Sequence, residues 1–130
     1  MHARLAITAG SLGGLILLRL AHTRNAAGLF DVSHMGQIRL TAKAGQNAAA
    51  ALETLVPGDI QSLTPGRMRY TQFTSASGGI LDDLMVANTG DHLMLVVNAS
   101  RKHEDAALLR QRLSDKVEIE ELSSRGLVAQ

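Results

Sequence analysis

The chain has 130 residues, 45% of them apolar, which is enough for one compact domain with a real core. Thirteen basic and twelve acidic side chains leave a formal charge of +1 and alternate without a block of one sign, which excludes a nucleic-acid surface built on clustered Lys and Arg. There is no cysteine, hence no disulfide and no thiolate chemistry, and the five histidines form neither an i, i+4 pair nor an HExxH pattern, so no metal site is expected.

Aromatic content is 2%, from Phe30, Tyr70 and Phe73. A base-stacking platform is therefore excluded, and any flat ring bound here has to be gripped mainly by aliphatic side chains.

At the amino terminus Arg4 precedes the apolar stretch Gly10 to Leu18, with no acid before Asp31. A membrane-spanning helix needs about 20 apolar residues, and this stretch is half that, broken by Gly13 and Gly14 and closed by Arg19. Arg19, His22 and Arg24 stand where a secretory signal would place small residues. Scattered Arg without acids fits a mitochondrial presequence better, and the plain alternative is an apolar helix that packs on its own domain.

Helical composition covers Leu12 to Thr23, followed by two short strands, Leu29 to His34 and Gln37 to Thr41, on either side of the Met35-Gly36 break. Ala48, Leu52 and Leu55 at helical spacing predict a helix that stops before Pro57-Gly58. A polar connector around Ser62 to Gly66 leads into three β-type runs, Met68 to Thr74, Ile80 to Asn88 and His92 to Asn98. Their short glycine-containing turns make an antiparallel meander. Ser100 is the expected N-cap of a helix through Leu113, with Glu104 and Asp105 near the positive end of its dipole and Ala106, Leu109 and Leu113 as its buried stripe. Lys116 to Glu120 alternates as a last strand, and Gly126-Leu127-Val128 begins another apolar run. The order implies an α+β fold, a mainly antiparallel sheet with helices packed on one face.

The densest chemical candidate is Gly78-Gly79-Ile80-Leu81-Asp82-Asp83-Leu84, two carboxylates inside an apolar strand. Strand side chains alternate, so Ile80, Asp82 and Leu84 share one face while Leu81, Asp83 and Met85 share the other. One carboxylate therefore lies among aliphatic groups, where burial raises its pKa unless a donor compensates. It either accepts structural hydrogen bonds at the turn or serves a site. Asp31-Val32-Ser33-His34 invites a catalytic-triad reading that fails, because an extended segment points Ser33 and His34 to opposite sides and no glycine elbow exposes the serine. Neither Gly10 to Gly14 nor Gly78-Gly79 matches a phosphate-loop pattern. Tyr70 is a strand residue whose hydroxyl suits a heteroaromatic edge, and Asn98, at a strand end, either caps a turn or reads a ring's paired donor and acceptor.

His22-Thr23-Arg24, Ala27-Gly28-Leu29-Phe30-Asp31-Val32-Ser33-His34-Met35, Leu55-Val56-Pro57-Gly58-Asp59-Ile60, Gly78-Gly79-Ile80-Leu81-Asp82-Asp83-Leu84 and Val96-Val97-Asn98-Ala99, taken in this order, resemble the opening third of the glycine cleavage system T-protein, an aminomethyltransferase. The resemblance covers residues 21–130, as part of a folate-binding domain, and leaves 1–20 as a divergent segment.

It implies tetrahydrofolate as cofactor, an aminomethyl group carried on the lipoyl arm of the H-protein as substrate, and release of ammonia. By position, Asp83 corresponds to the carboxylate beside the folate's reactive end. Met35, Tyr70, Met94, Val96 and Asn98 correspond to the ring pocket. Family members often carry an aromatic where Met94 stands. The family continues for more than two hundred residues beyond this span, so the chain alone is expected to turn over nothing. The resemblance also implies a bacterial cytoplasmic or mitochondrial matrix location without membrane or nucleic-acid partners. The alternative is a folate-binding relative without glycine cleavage activity, although such relatives tend to depart from one or both of the Asp82-Asp83 and Asp31 to Met35 motifs.

Overall fold

A computed structural model describes residues 12–31 and 33–122, which fall into two compact units divided after Asp31. In the first unit, α1 (Leu12–Asn25) has no acid in its first turn and places His22 and Arg24 in its last, where cations meet the negative end of the helix dipole. Its Ile16, Leu17, Leu18 and Leu20 are exposed, as are Leu29 and Phe30 beyond it. Among the described residues of Leu29 to His34 the expected strand does not form. Asp31 makes only an isolated bridge, and Ser33 and His34 lie in a turn. The composition favours β structure, but Leu29 is 84% exposed, so no packed surface rewards extension there.

The second unit is built on one five-stranded antiparallel sheet in the order β2-β3-β4-β1-β5. The strands are β1 (Gly36–Ala42), β2 (Met68–Thr74), β3 (Ile80–Asn88), β4 (Leu93–Val97) and β5 (Val117–Glu121). After β1, the helix α2 (Ala48–Leu52) and a long connector carry the chain to the far edge, and the meander β2-β3-β4 brings it back beside β1. The helix α3 (Lys102–Leu113) then returns it to β5 on the other side of β1. The expected α+β order therefore holds.

Alternation sends one set of strand residues inward. Ile38, Leu40, Phe73, Leu84, Val86, Leu93, Leu95, Val97 and Val117 form a single buried cluster with Ala48, Ala51 and Leu52 of α2 and Ala106, Leu109 and Leu113 of α3. Both helices thus cover the same face, and the opposite face of the sheet carries the half-buried or exposed residues of each strand.

Three details depart from the expected elements. Asn47 caps α2, accepting from the backbone N–H of Ala49 and Ala50, and the helix ends at Leu52 rather than reaching Leu55. The connector expected around Ser62 to Gly66 buries Leu63 in the core, as the turns ahead of it bury Leu55, Val56 and Ile60. The residue preceding α3 is Arg101, with no side-chain cap, instead of Ser100. The apolar run Gly126-Leu127-Val128 and most of residues 1–20 lie outside the described residues.

Candidate functional site

The hairpin β2-β3 turns through Ser75 to Gly79, where Gly78 sits at φ +85°, a left-handed conformation that glycine adopts without steric cost. The Ser75 hydroxyl oxygen accepts from the Gly79 N–H at 3.0 Å and closes the turn. Immediately after it the register shifts: Phe73 pairs with Asp82, but Thr74 pairs with Ile80, so Leu81 is an extra residue on β3. This bulge explains why Ile80 is 70% exposed although strict alternation groups it with Asp82.

Beyond the bulge, alternation decides between the two carboxylates. Asp82 is buried on the helix-covered face with Leu84 and Val86, whereas Asp83 is exposed on the open face. Register then assembles the open face in rows. Tyr70 pairs with Met85, Met85 with Val96 and Val96 with Gln37; the next row runs through Met68, Ala87, Met94 and Arg39 to Glu120. Asp83 stands opposite Gln72 in the row on the other side of Tyr70, at the turn end of β3. Four of the expected residues, Tyr70, Asp83, Met94 and Val96, thus share one surface, joined by Met85, which sequence reasoning placed on the Asp83 face without giving it a role.

Asn98 lies just past β4 and links the two faces. Its Nδ2 donates to Asp82 Oδ1 at 2.9 Å and to Asp83 Oδ1 at 2.8 Å. An amide nitrogen has two hydrogens, and both are committed, to the two carboxylates and more distantly to the Asp83 carbonyl oxygen at 3.3 Å. Asn98 is therefore a brace between Asp82 and Asp83, and a contact to a ring would have to be made through its Oδ1.

Behind the brace, the structure adds a residue the sequence reading valued only for its charge near a helix start. Asp105 of α3 is 2% exposed and lies within hydrogen-bonding reach of the Asp82 carboxyl group. Burial, then the hydrogen bond and charge of Asp82, push its pKa up to about 7. At Asp82 burial disfavours the charge, but hydrogen bonds from the Asn98 and Asp105 side chains and from the Asp83 and Asn98 backbone outweigh it and hold its pKa below the usual carboxylate range. A signal for Asp105 existed, since it precedes Leu109 and Leu113 at i+4 and i+8 and so falls on the buried stripe of α3.

Met35 sits elsewhere. It lies in the turn ahead of β1, half-buried, and lines a cleft of about 80 Å³ with Ser33, Gly36, Lys102, His103 and Glu121, a cleft that takes no residue from β2, β3 or β4. The turn over Ser33 and His34 also removes the extended geometry on which the alternation argument for that segment rested. Among the described residues no group of His, Asp and Glu is arranged to hold a metal ion, and no helix is long and apolar enough to cross a membrane.

A five-stranded antiparallel sheet with helices on one face is the fold of a known domain. Residues 17–129 match the family model of the GCVT N-terminal domain. The chain belongs to this family. It is 40% identical over 106 residues to the aminomethyltransferase of Synechocystis sp., covering 77% of this chain and 28% of that protein. Against the mitochondrial aminomethyltransferase of Mus musculus it is 41% identical over 107 residues, covering 82% of this chain and 24% of the relative. The glycine cleavage system aminomethyltransferase T of Bartonella henselae superposes with a TM-score of 0.67 at 33% identity, covering 74% of this chain and 26% of that one. The chain thus spans about a quarter of the length of the aminomethyltransferases it resembles.

Proposed function

We propose that this chain provides one wall of the tetrahydrofolate site of an aminomethyltransferase of the glycine cleavage system, which moves a one-carbon unit from the aminomethyl-lipoyl arm of the H-protein to tetrahydrofolate and releases ammonia. The observation that carries the reading is the exposed Asp83 carboxylate standing beside an apolar strand surface, fixed there by Asn98.

The donor set fits a reduced pteridine. Met85, Met94 and Val96 offer a half-buried aliphatic surface for a ring, in keeping with the scarcity of aromatic side chains, and Tyr70 borders it with a hydroxyl. Tetrahydrofolate supplies the nucleophilic nitrogen that accepts the one-carbon unit. Asp83 lies two residues along β3 from Met85, about 7 Å at strand spacing, so it reaches the edge of whatever covers Met85. There it hydrogen-bonds or takes a proton from the attacking nitrogen and orients it toward the carbon. The hydrogen bond from Asn98 keeps the carboxylate in one rotamer, which lowers the ordering cost of that step. Met35, which lines a separate cleft ahead of β1, is no part of this wall, and the lipoyl-bearing H-protein is the partner that delivers the one-carbon unit. The compartment proposed is the bacterial cytoplasm or the mitochondrial matrix.

Titrating the chain, labelled in its methionine methyl groups, with tetrahydrofolate tests the reading. The resonances of Met85 and Met94 should shift, with weak affinity, and Asp83→Asn should weaken that binding further. Shifts confined to other methionines, or none at millimolar tetrahydrofolate, would overturn it.

A further inference from the structure

We infer that Asp105 is a positioning residue for Asp83: bridged to Asp82 by one shared proton inside the covered face, it holds Asp82 against the Asn98 amide, whose second hydrogen holds Asp83. The inference rests on Asp83 being the working carboxylate of the site.

Four groups lie in series, Asp105, Asp82, Asn98 and Asp83, the last three joined by hydrogen bonds. Asp105 and Asp82 are 2% and 9% exposed. Their carboxyl groups lie within hydrogen-bonding reach of each other, and the Oδ2 of each is fully buried and meets no donor among the described residues. Two carboxylates cannot satisfy one another, since both only accept. A single proton between them removes the repulsion and satisfies both orphaned oxygens. Asp82 then has Oδ1 free for Asn98 Nδ2 at 2.9 Å, and the same nitrogen reaches Asp83 Oδ1 at 2.8 Å. Adjacent strand residues project to opposite faces, so Asp82 cannot touch whatever binds at Asp83. It acts through the amide.

The charged groups acting on Asp105 are Asp82 on β3, Arg101 just ahead of α3 and Glu104 in its first turn. Arg101 extends toward Glu104, 3.9 Å away, so these two opposite charges offset each other in part. The raised pKa of Asp105, about 7, accords with a proton retained on the pair near neutrality. Loss of that proton would leave two buried charges in contact, push Asp82 away from Asp105 and disturb the amide that both carboxylates share.

A carboxyl-carbon and side-chain-amide NMR titration of the chain, run without any folate, reads the coupling directly. The Asp105 carboxyl should titrate near pH 7, and the Asn98 side-chain amide and the Asp83 carboxyl carbon should shift in the same step. Asp105→Asn, which keeps the shape and a permanent donor, should abolish that step while leaving the Asn98 amide at its low-pH position. Asp82→Asn should drop the Asp105 transition toward the ordinary carboxyl range. An Asn98 amide that stays still while Asp105 titrates, or an Asp105 transition already in the ordinary range in the unsubstituted chain, overturns the inference. A merely structural role for Asp105 predicts that stationary amide. Failure of the folate reading shows separately, in the tetrahydrofolate titration.

Discussion

Asp82 and Asp83 are identical in chemistry and adjacent in sequence, and one residue of strand phase gives them different work. Composition could say only that one of the two lies among aliphatic groups; the phase of β3, set by the bulge at Leu81, selects Asp82. The pair it forms with Asp105 predicts an unusual pH dependence of stability. Asp105 has its folded pKa raised from an ordinary 3.8 to about 7, so the folded chain holds a proton that the unfolded chain has released in that interval. Stability contributed by this group is complete below the unfolded pKa and is lost as pH rises through the folded one, by at most about 4 kcal/mol for a shift of this size. The lowered pKa values of Asp82, and of the exposed Glu53, Asp59 and Asp91, act in the opposite sense and only as pH falls below the ordinary carboxylate range. Urea unfolding at mildly acid and mildly alkaline pH should therefore find the chain more stable in acid, and Asp105→Asn should flatten that slope and make the chain more stable at alkaline pH. An unchanged slope in the variant would locate the effect elsewhere.

At the scale of elements, β1 and α3 meet at their beginnings, and Gly36 is what lets them meet. A Cβ built there would lie 2.5 Å from Lys102 Cβ and 2.6 Å from Val97 Cγ2, both too close to the backbone to swing clear. Gly36→Ala should cost about 1 to 3 kcal/mol through forced separation of β1 from α3, read as a lower urea midpoint with an unchanged slope. The meander, α3 and the last strand were legible because their periodicities of two and 3.6 persist over several residues and short turns leave little choice of pairing. The connector was not, since Leu55, Val56, Ile60 and Leu63 are buried from turns, outside any helix or strand whose period would mark them. Leu29 to His34 misled for the converse reason: its residues suit a strand, but pairing is decided by neighbours that local composition does not reveal. The site divides in the same way. Tyr70, Asp83, Met94 and Val96 could be placed on one surface by alternation within regular strands, whereas the Asn98 brace and Asp105 depend on contacts between β3, the end of β4 and α3, which no local pattern encodes.

At the scale of the second unit, α2 and α3 pack on one face of the sheet, and the apolar part of the other face lies beside Asp83. An aliphatic wall that is half-buried in this chain gains full burial only when something lies on it, and a single wall leaves most of a bound ring in water. Since pockets for ring-sized ligands bury most of the ligand surface, one open face cannot supply high affinity. The chain alone should therefore release no ammonia from aminomethyl-lipoyl H-protein in a coupled assay. Joined to the remaining length of the Synechocystis aminomethyltransferase, with which it shares 40% identity, it should regain turnover. In that setting Asp83→Asn removes the group proposed to act on the nucleophile and should lower kcat by about 10²- to 10⁴-fold, the usual range for a lost acid-base group. Asp82→Asn still accepts a hydrogen bond through its amide oxygen and should cost much less. Equal losses would transfer the chemical role to Asp82, and turnover by the unjoined chain would mean that the second wall is not required.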